Sequence, residues 1–295
     1  MRVLVLGGEG MLGHQVCRRL GDRFEVWASY RDDPKTWVTY GNVQLVRAVG
    51  GVDAADFVTV TSVVERVQPD AVINCIGIVK QRDEAKMAVP TIRVNSLFPH
   101  LLAHLCEMSG ARLIHVSTDC VFSGEGGPYT EDDTPDPVDL YGRSKAVGEV
   151  DGSGCLTLRT SIIGWEVMGN ASLLEWFAAQ RNRTIKGYRR VIYSGLSTAA
   201  LADVMAYVLV EQPSLSGLYH VASQPVSKYE LLTRLRDALG WTDVQVEPDY
   251  DECSDRSLSA ARFIAATGWQ PPSWDGMIAE LAAEWPTYSG WRGLS

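Results

Sequence analysis

Long apolar runs are missing from these 295 residues: no window approaches the eighteen or so consecutive apolar residues of a membrane span. No membrane association is expected. Cysteine is sparse, with six residues at 17, 75, 106, 120, 155 and 253 and no Cys-x-x-Cys pair, which argues against a zinc site or a disulfide framework. Histidine is scarcer still, and no His, Asp and Glu spacing suggests a metal centre. Positive charge is short: the formal net charge is −9, which disfavours nucleic acid as a partner and obliges any anionic ligand to find local cations. The opening "MRVLVLGGEG" lacks the apolar length of a signal-peptide core, so a cytoplasmic protein is expected.

What is present is an alternation. Strand-like runs at 2–7, 24–29, 70–77, 112–118 and 154–160 are separated by helix-like segments at 11–20, 56–67, 90–109 and 140–150. Such β-α-β repetition predicts an α/β fold, a doubly wound parallel sheet of Rossmann type whose crevice lies at the C-terminal ends of the strands. Beyond residue 160 the pattern loosens into helical segments at 171–181, 198–211, 228–239 and 274–284. The expected division is a dinucleotide-binding domain at 1–163, with a return at about 192–212. A smaller, mostly helical substrate lobe is expected at 164–191 and 213–295.

"VLVLGGEGMLGHQVCRRL" places Gly7, Gly10 and Gly13 between a strand and a helix. Glycines there permit a tight turn and bring backbone amides to a pyrophosphate at the helix N-terminus. The second strand ends "WASYRDD", where Ser29, Tyr30 and Arg31 come first. An arginine there can pair with a ribose 2′-phosphate, which favours NADP (NADPH) over NAD, although Asp32 and Asp33 follow closely. The blander account of Arg31 is a solvated loop charge.

"DLYGRSKAVGEV" carries Tyr141 and Lys145 four residues apart, hence on one helix face. Lys145, with a nicotinamide ring, is expected to lower the Tyr141 phenol from near ~10 toward neutral pH; about three units would correspond to roughly 4 kcal/mol. Tyr141 would then exchange a proton with a substrate oxygen, held also by Thr118 at the end of "RLIHVST".

The glycine turn, "STDCVFSGEGGPYTEDDTPDPVDLYGRSKAVGE" and "INCIGIVKQ" together resemble the extended short-chain dehydrogenase/reductases. Within them, the chain is similar to the dTDP-4-dehydrorhamnose reductases. The resemblance implies a reductase that delivers hydride to C4 of a nucleotide-activated 4-keto-6-deoxysugar, with a nucleotide-sugar partner and a homodimer as the candidate assembly. It implies Thr118, Tyr141 and Lys145 as the catalytic set. Gly7, Gly10, Met11, Leu12, Gly13, Asn74, Cys75, Ile76, Gly77, Ser161 and Ile163 are implied cofactor contacts, beside Arg31 read above, and Asn95, counted with them, is implied to support the active-site lysine through water. Many such reductases serve surface polysaccharide synthesis.

Cys120 stands where those reductases usually carry tyrosine, so an aromatic substrate contact is absent. A cysteine nearby acts as acid or base in GDP-fucose synthases, which keeps an epimerase or epimerase/reductase open. The second base such enzymes need is missing, since no His or Lys lies between Ser161 and Arg181. Cys120 is therefore read first as a pocket wall. Arg189, Arg190 and Arg256 are candidate diphosphate partners, and Trp165 or Trp176 candidate stacking groups. A different class of function is a non-catalytic regulatory or binding subunit of the same fold.

Overall fold

The computed structural model describes residues 1–35, 37, 47–81 and 83–292. Its strands are β1 (Arg2–Leu6), β2 (Glu25–Ser29), β3 (Arg47–Val49), β4 (Ala71–Asn74), β5 (Arg112–Thr118), β6 (Cys155–Thr160), β7 (Ile162–Ile163), β8 (Thr184–Tyr193), β9 (Leu196–Ser197), β10 (Gly217–His220), β11 (Val226–Ser227) and β12 (Gln245–Asp255). Among the described residues, seven of these form one sheet in the order β10-β6-β5-β4-β1-β2-β3, every neighbouring pair parallel.

Burial on both faces explains why these strands read as continuous apolar runs. In β1, Val3 and Val5 join one core while Leu4 and Leu6 join the other. The first core packs the sheet against α1 (Gly13–Leu20) and α7 (Thr198–Glu211); the second packs it against α2 (Phe57–Val67) and α4 (Phe98–Ser109). Each such side chain contributes about 1.5–3 kcal/mol by leaving water. The chain winds one way from β1 through β2 to β3 and the other way from β4 onward. The switch therefore lies between β1 and β4, where the glycine turn and the Cys75–Gly77 loop meet: a Cβ on Gly7 would stand 3.0 Å from Ile76 Cγ1.

The helix expected at 90–109 is α3 (Ala88–Ile92), a π-helical turn at Arg93–Leu97, and α4. The helix expected at 140–150 is α5 (Leu140–Val147). Two corrections concern the later chain. It re-enters the large sheet as β10, beyond the return expected at 192–212. The lobe also contains a sheet, β11-β8-β12, with β12 parallel and β11 antiparallel to β8, in addition to α6 (Leu173–Ala178), α8 (Lys228–Ala238) and α9 (Ala261–Thr267). The final helix α10 (Trp274–Trp291) ties lobe to large domain: Gln15 Nε2 donates to Glu284 at 2.8 Å, and Trp165 Nε1 donates to the Leu281 carbonyl at 2.8 Å.

Candidate active site

Two glycines let α5 lie close to its neighbours, the segment past β5 at one end and the π turn at the other. A Cβ on Gly142 would stand 2.1 Å from the Cys120 carbonyl oxygen, and one on Gly148 would stand 1.9 Å from the Asn95 carbonyl oxygen. No larger residue fits without moving backbone. Asp139 caps the helix by accepting from the Gly142 N–H at 2.8 Å. The Tyr141 phenol is thereby brought to the Thr118 hydroxyl, with Cys120 and Asp119 beside it. Lys145, one turn on, is buried and donates from Nζ to the Val116 carbonyl at 2.7 Å.

The electrostatics depart from the sequence-based expectation. Burial, then the neighbouring Cys120, pushes the Tyr141 phenol well above its ordinary value, and the Thr118 hydroxyl only partly opposes this. The phenol therefore keeps its proton at neutral pH, as a proton donor requires. Burial lowers Lys145 to about 8, opposed by Glu149. Lys145 reaches the Val116 carbonyl rather than the phenol, so it does not by itself lower Tyr141; the expected drop draws on a nicotinamide ring as well.

Cys120 is pushed up to about 12, first by burial and then by Asp119. A thiol so placed is a poor base at neutral pH. His115 and His220 are both held neutral by burial, His220 at about 4, so neither adds a second charged acid beside it.

Asp119, quoted in the motif but given no role there, is a buried carboxyl in the same cluster. Thr118 Oγ1 donates to its Oδ1 at 3.1 Å, and Cys120 and Ser161 also hydrogen-bond to it. Burial raises it above the ordinary carboxylate range despite these donors. Lys80 is a second omission: it pairs with Asp139 at 2.8 Å at the N-terminus of α5, and its charge bears on Cys120.

The implied cofactor residues divide into backbone cradle and support. Gly7 adopts φ +85° and gives its N–H to Ser29 Oγ at 3.1 Å, while Gly10 N–H closes on the Gly7 carbonyl at 3.1 Å. A Cβ on Gly13 would stand 2.0 Å from the Gly7 carbonyl oxygen, so α1 begins directly on the turn. The amides of Met11 and Leu12 precede the helix's first hydrogen-bonded turn, where an anion is favoured. These residues fit a dinucleotide pyrophosphate.

Asn74 is buried, with Nδ2 3.1 Å from His115 Nδ1 and Oδ1 accepting from the Ile76 N–H at 3.0 Å. Its bond to the Ile76 N–H shapes the Cys75–Gly77 loop. Asn95, on the π turn, accepts from the Ile78 N–H at 2.9 Å and donates to the Ile78 carbonyl and to Ser144 Oγ, bracing α5 next to Lys145. Ser161 accepts from the Leu196 N–H at 2.9 Å through its carbonyl, and Ile163 is buried in β7 beside β9. Arg31 is exposed past the end of β2.

The substrate candidates fare unevenly. Trp165 is fully buried against Trp285 and Tyr288, so it is core and not a stacking surface. Its indole N–H, satisfied by a backbone carbonyl, made burial possible. Arg256 spends its guanidinium on the Phe122 and Ser123 carbonyls, at 2.9 and 2.8 Å, which fixes the loop after Cys120 instead of leaving it for phosphate. Arg189 and Arg190 are exposed on opposite faces of β8, with Arg189 lying 3.9 Å over the Tyr229 ring. Trp176 is exposed, and Lys228, which the sequence did not single out, lies 5.7 Å from both its ring and that of Tyr188.

The family model described as "RmlD substrate binding domain" matches residues 1–284. The chain is similar to the spore coat polysaccharide biosynthesis protein SpsK of Bacillus subtilis, at 26% identity over 96% of this chain and 97% of that one. It is also 26% identical to the dTDP-4-dehydrorhamnose reductase of Aggregatibacter actinomycetemcomitans, over 96% and 98%. In fold it resembles the dTDP-4-dehydrorhamnose reductase of Bacillus anthracis in complex with NADP, with a TM-score of 0.76, 23% identity, and 96% and 99% of the two chains covered. Glycine turn, Thr118, Tyr141 and Lys145, and a match along nearly the whole length thus converge: the chain belongs to the RmlD substrate-binding-domain family, an extended short-chain dehydrogenase/reductase fold of nucleotide-sugar reductases.

Proposed function

We propose that this protein reduces the C4 ketone of a nucleotide-activated 4-keto-6-deoxysugar, with a nicotinamide dinucleotide supplying the hydride. The observation that carries this is the meeting of the protonated Tyr141 phenol and the Thr118 hydroxyl at the end of β5, across the switch point from the glycine turn. In the reaction, Thr118 and Tyr141 hold the carbonyl oxygen, and Tyr141 passes its proton to the alkoxide as it forms. Lys145 supplies positive charge one helical turn away, held at the Val116 carbonyl.

Arg31, exposed past β2, supports NADPH ahead of NADH. Arg189 or Arg190, with the Lys228, Trp176 and Tyr188 group, is the proposed nucleotide contact. A cytoplasmic homodimer is proposed on family likeness alone, and light scattering in solution tests the assembly.

The test is product mass spectrometry after incubation with a panel of nucleotide 4-keto-6-deoxysugars and NADPH in heavy water. A product reduced at C4, without enzyme-dependent deuterium at C3 or C5, is expected. Enzyme-dependent deuterium lost in Cys120→Ala would install the epimerase instead. Turnover untouched in Tyr141→Phe, with dinucleotide binding intact, would turn the assignment toward a binding subunit.

A further inference from the structure

The glycine turn contributes backbone to the proposed cofactor site, yet it also contains one charged side chain, Glu9, to which that site assigns nothing. Its Oε1 accepts from the backbone N–H of Arg31 at 3.3 Å, across 22 residues of sequence. That bond places the carboxylate at the C-terminal end of β2. Its Oε2 is buried and has no hydrogen-bond partner among the described residues. Burial dominates its surroundings and raises its carboxyl above the ordinary range, with the Arg31 charge pulling the other way and Asp32 adding to the rise.

The position matters because the end of the second strand is where a dinucleotide fold discriminates its cofactors. A carboxylate there accepts a hydrogen bond from the ribose 2′-hydroxyl, whereas an arginine accommodates a 2′-phosphate. Ser29, Tyr30 and Arg31 offer no carboxylate. Tyr30 is turned down instead: it is buried, and its hydroxyl would lie 3.2 Å from a Cβ on Gly8, under the turn. Asp32 and Asp33 follow as exposed loop residues, and the neighbouring turn brings a further carboxylate, Glu9, to the strand's end.

We infer that Glu9 is a specificity-determining residue for the dinucleotide, accepting the ribose 2′-hydroxyl of NAD(H) and opposing the 2′-phosphate of NADP(H). Arg31 and Glu9 then act against each other, one attracting the extra phosphate and the other repelling it, and their balance sets the cofactor ratio. Like charges brought together in a half-buried site interact far more strongly than in bulk water. The competing account is that Glu9 only braces the Arg31 N–H, in which case its loss would weaken both dinucleotides alike.

The inference rests on the dinucleotide part of the proposed function and not on the sugar. The test is therefore calorimetric titration of the full chain with NAD⁺ and with NADP⁺, no sugar present. Glu9→Gln, which keeps the shape and removes the charge, is expected to move the NADP⁺ to NAD⁺ affinity ratio toward NADP⁺ by about tenfold. Glu9→Ser, checked for folding by thermal melt, should move it the same way. A ratio that stays within about twofold of wild type, or a parallel weakening of both ligands, overturns the role of Glu9 alone. Failure of the wild-type protein to bind either dinucleotide would overturn both this inference and the reductase assignment.

Discussion

The β5–α5 end of the crevice and the lobe around β8 hold their polar side chains by different means. At the first, Thr118, Asp119 and Lys145 are buried, Tyr141 is half-buried, and they are tied to backbone or to one another, with α5 pinned through Gly142 and Gly148. In the lobe, Arg189, Arg190, Lys228 and Trp176 sit at or near the surface and are braced mainly by aromatic rings. The proton donor proposed at the first needs one geometry, which backbone contact enforces. The nucleotide contact proposed for the second tolerates adjustment, so side chains braced by rings on β8, α6 and α8 suffice.

The contrast can be broken most forcefully at Tyr141. Tyr141→Phe should lower kcat by about 10²–10⁴ in steady-state assays while leaving calorimetric dinucleotide binding unchanged. A loss of binding with turnover preserved would reverse the assignment.

Phe177→Ala, in the lobe core, should destabilise by about 3–5 kcal/mol, read as a shift in the urea midpoint. Because Phe177 lies away from the Thr118–Tyr141 pair, though in the core it shares with the large sheet, kcat of the folded fraction is expected to stay near wild type. Gly142→Ala probes the opposite case. Its Cβ would clash with the Cys120 carbonyl, so about 1–3 kcal/mol of stability should be lost together with turnover, because Tyr141 moves with the helix.

Charge at Lys145 gives a pH signature. Burial lowers it to about 8, so the ammonium is present below that value and lost as pH rises through it. A stopped-flow profile of the hydride step should therefore fall above about pH 8, and Lys145→Arg should flatten that fall. The smallest effect is expected at the adaptable end: Lys228→Ala should raise KM for the nucleotide sugar by roughly two- to tenfold with kcat unchanged, in keeping with about 0.5–1 kcal/mol for a half-buried cation beside aromatic rings. A matching fall in kcat would show that the lobe positions the reacting carbon as well.

Legibility followed the range of the interactions. Gly7, Gly10 and Gly13 were readable because the turn is local and only glycine admits a Gly13 to Gly7 contact of this kind. Tyr141 and Lys145 were readable as an i, i+4 pair, but which way the lysine reaches was not, since the Val116 carbonyl belongs to another element. Trp165 misled because tryptophan is equally at home in a pocket and in a core, and the choice depended on α10, more than a hundred residues later. The strand β12 was invisible: "QVEPDYDECSD" has too many acids and a proline for a strand signal, and its pairing with β8 overrides that propensity.

By itself, the sequence determined the α/β alternation, the glycine turn and the placing of Tyr141 and Lys145 on one helix, because each is written in short-range spacing. Tertiary structure alone decided that burial raises the Tyr141 phenol and the Cys120 thiol and that Glu9 stands at the end of β2. Those properties are set by burial and by neighbours distant in sequence, and a pKa or a charge contact depends on who is nearby in space.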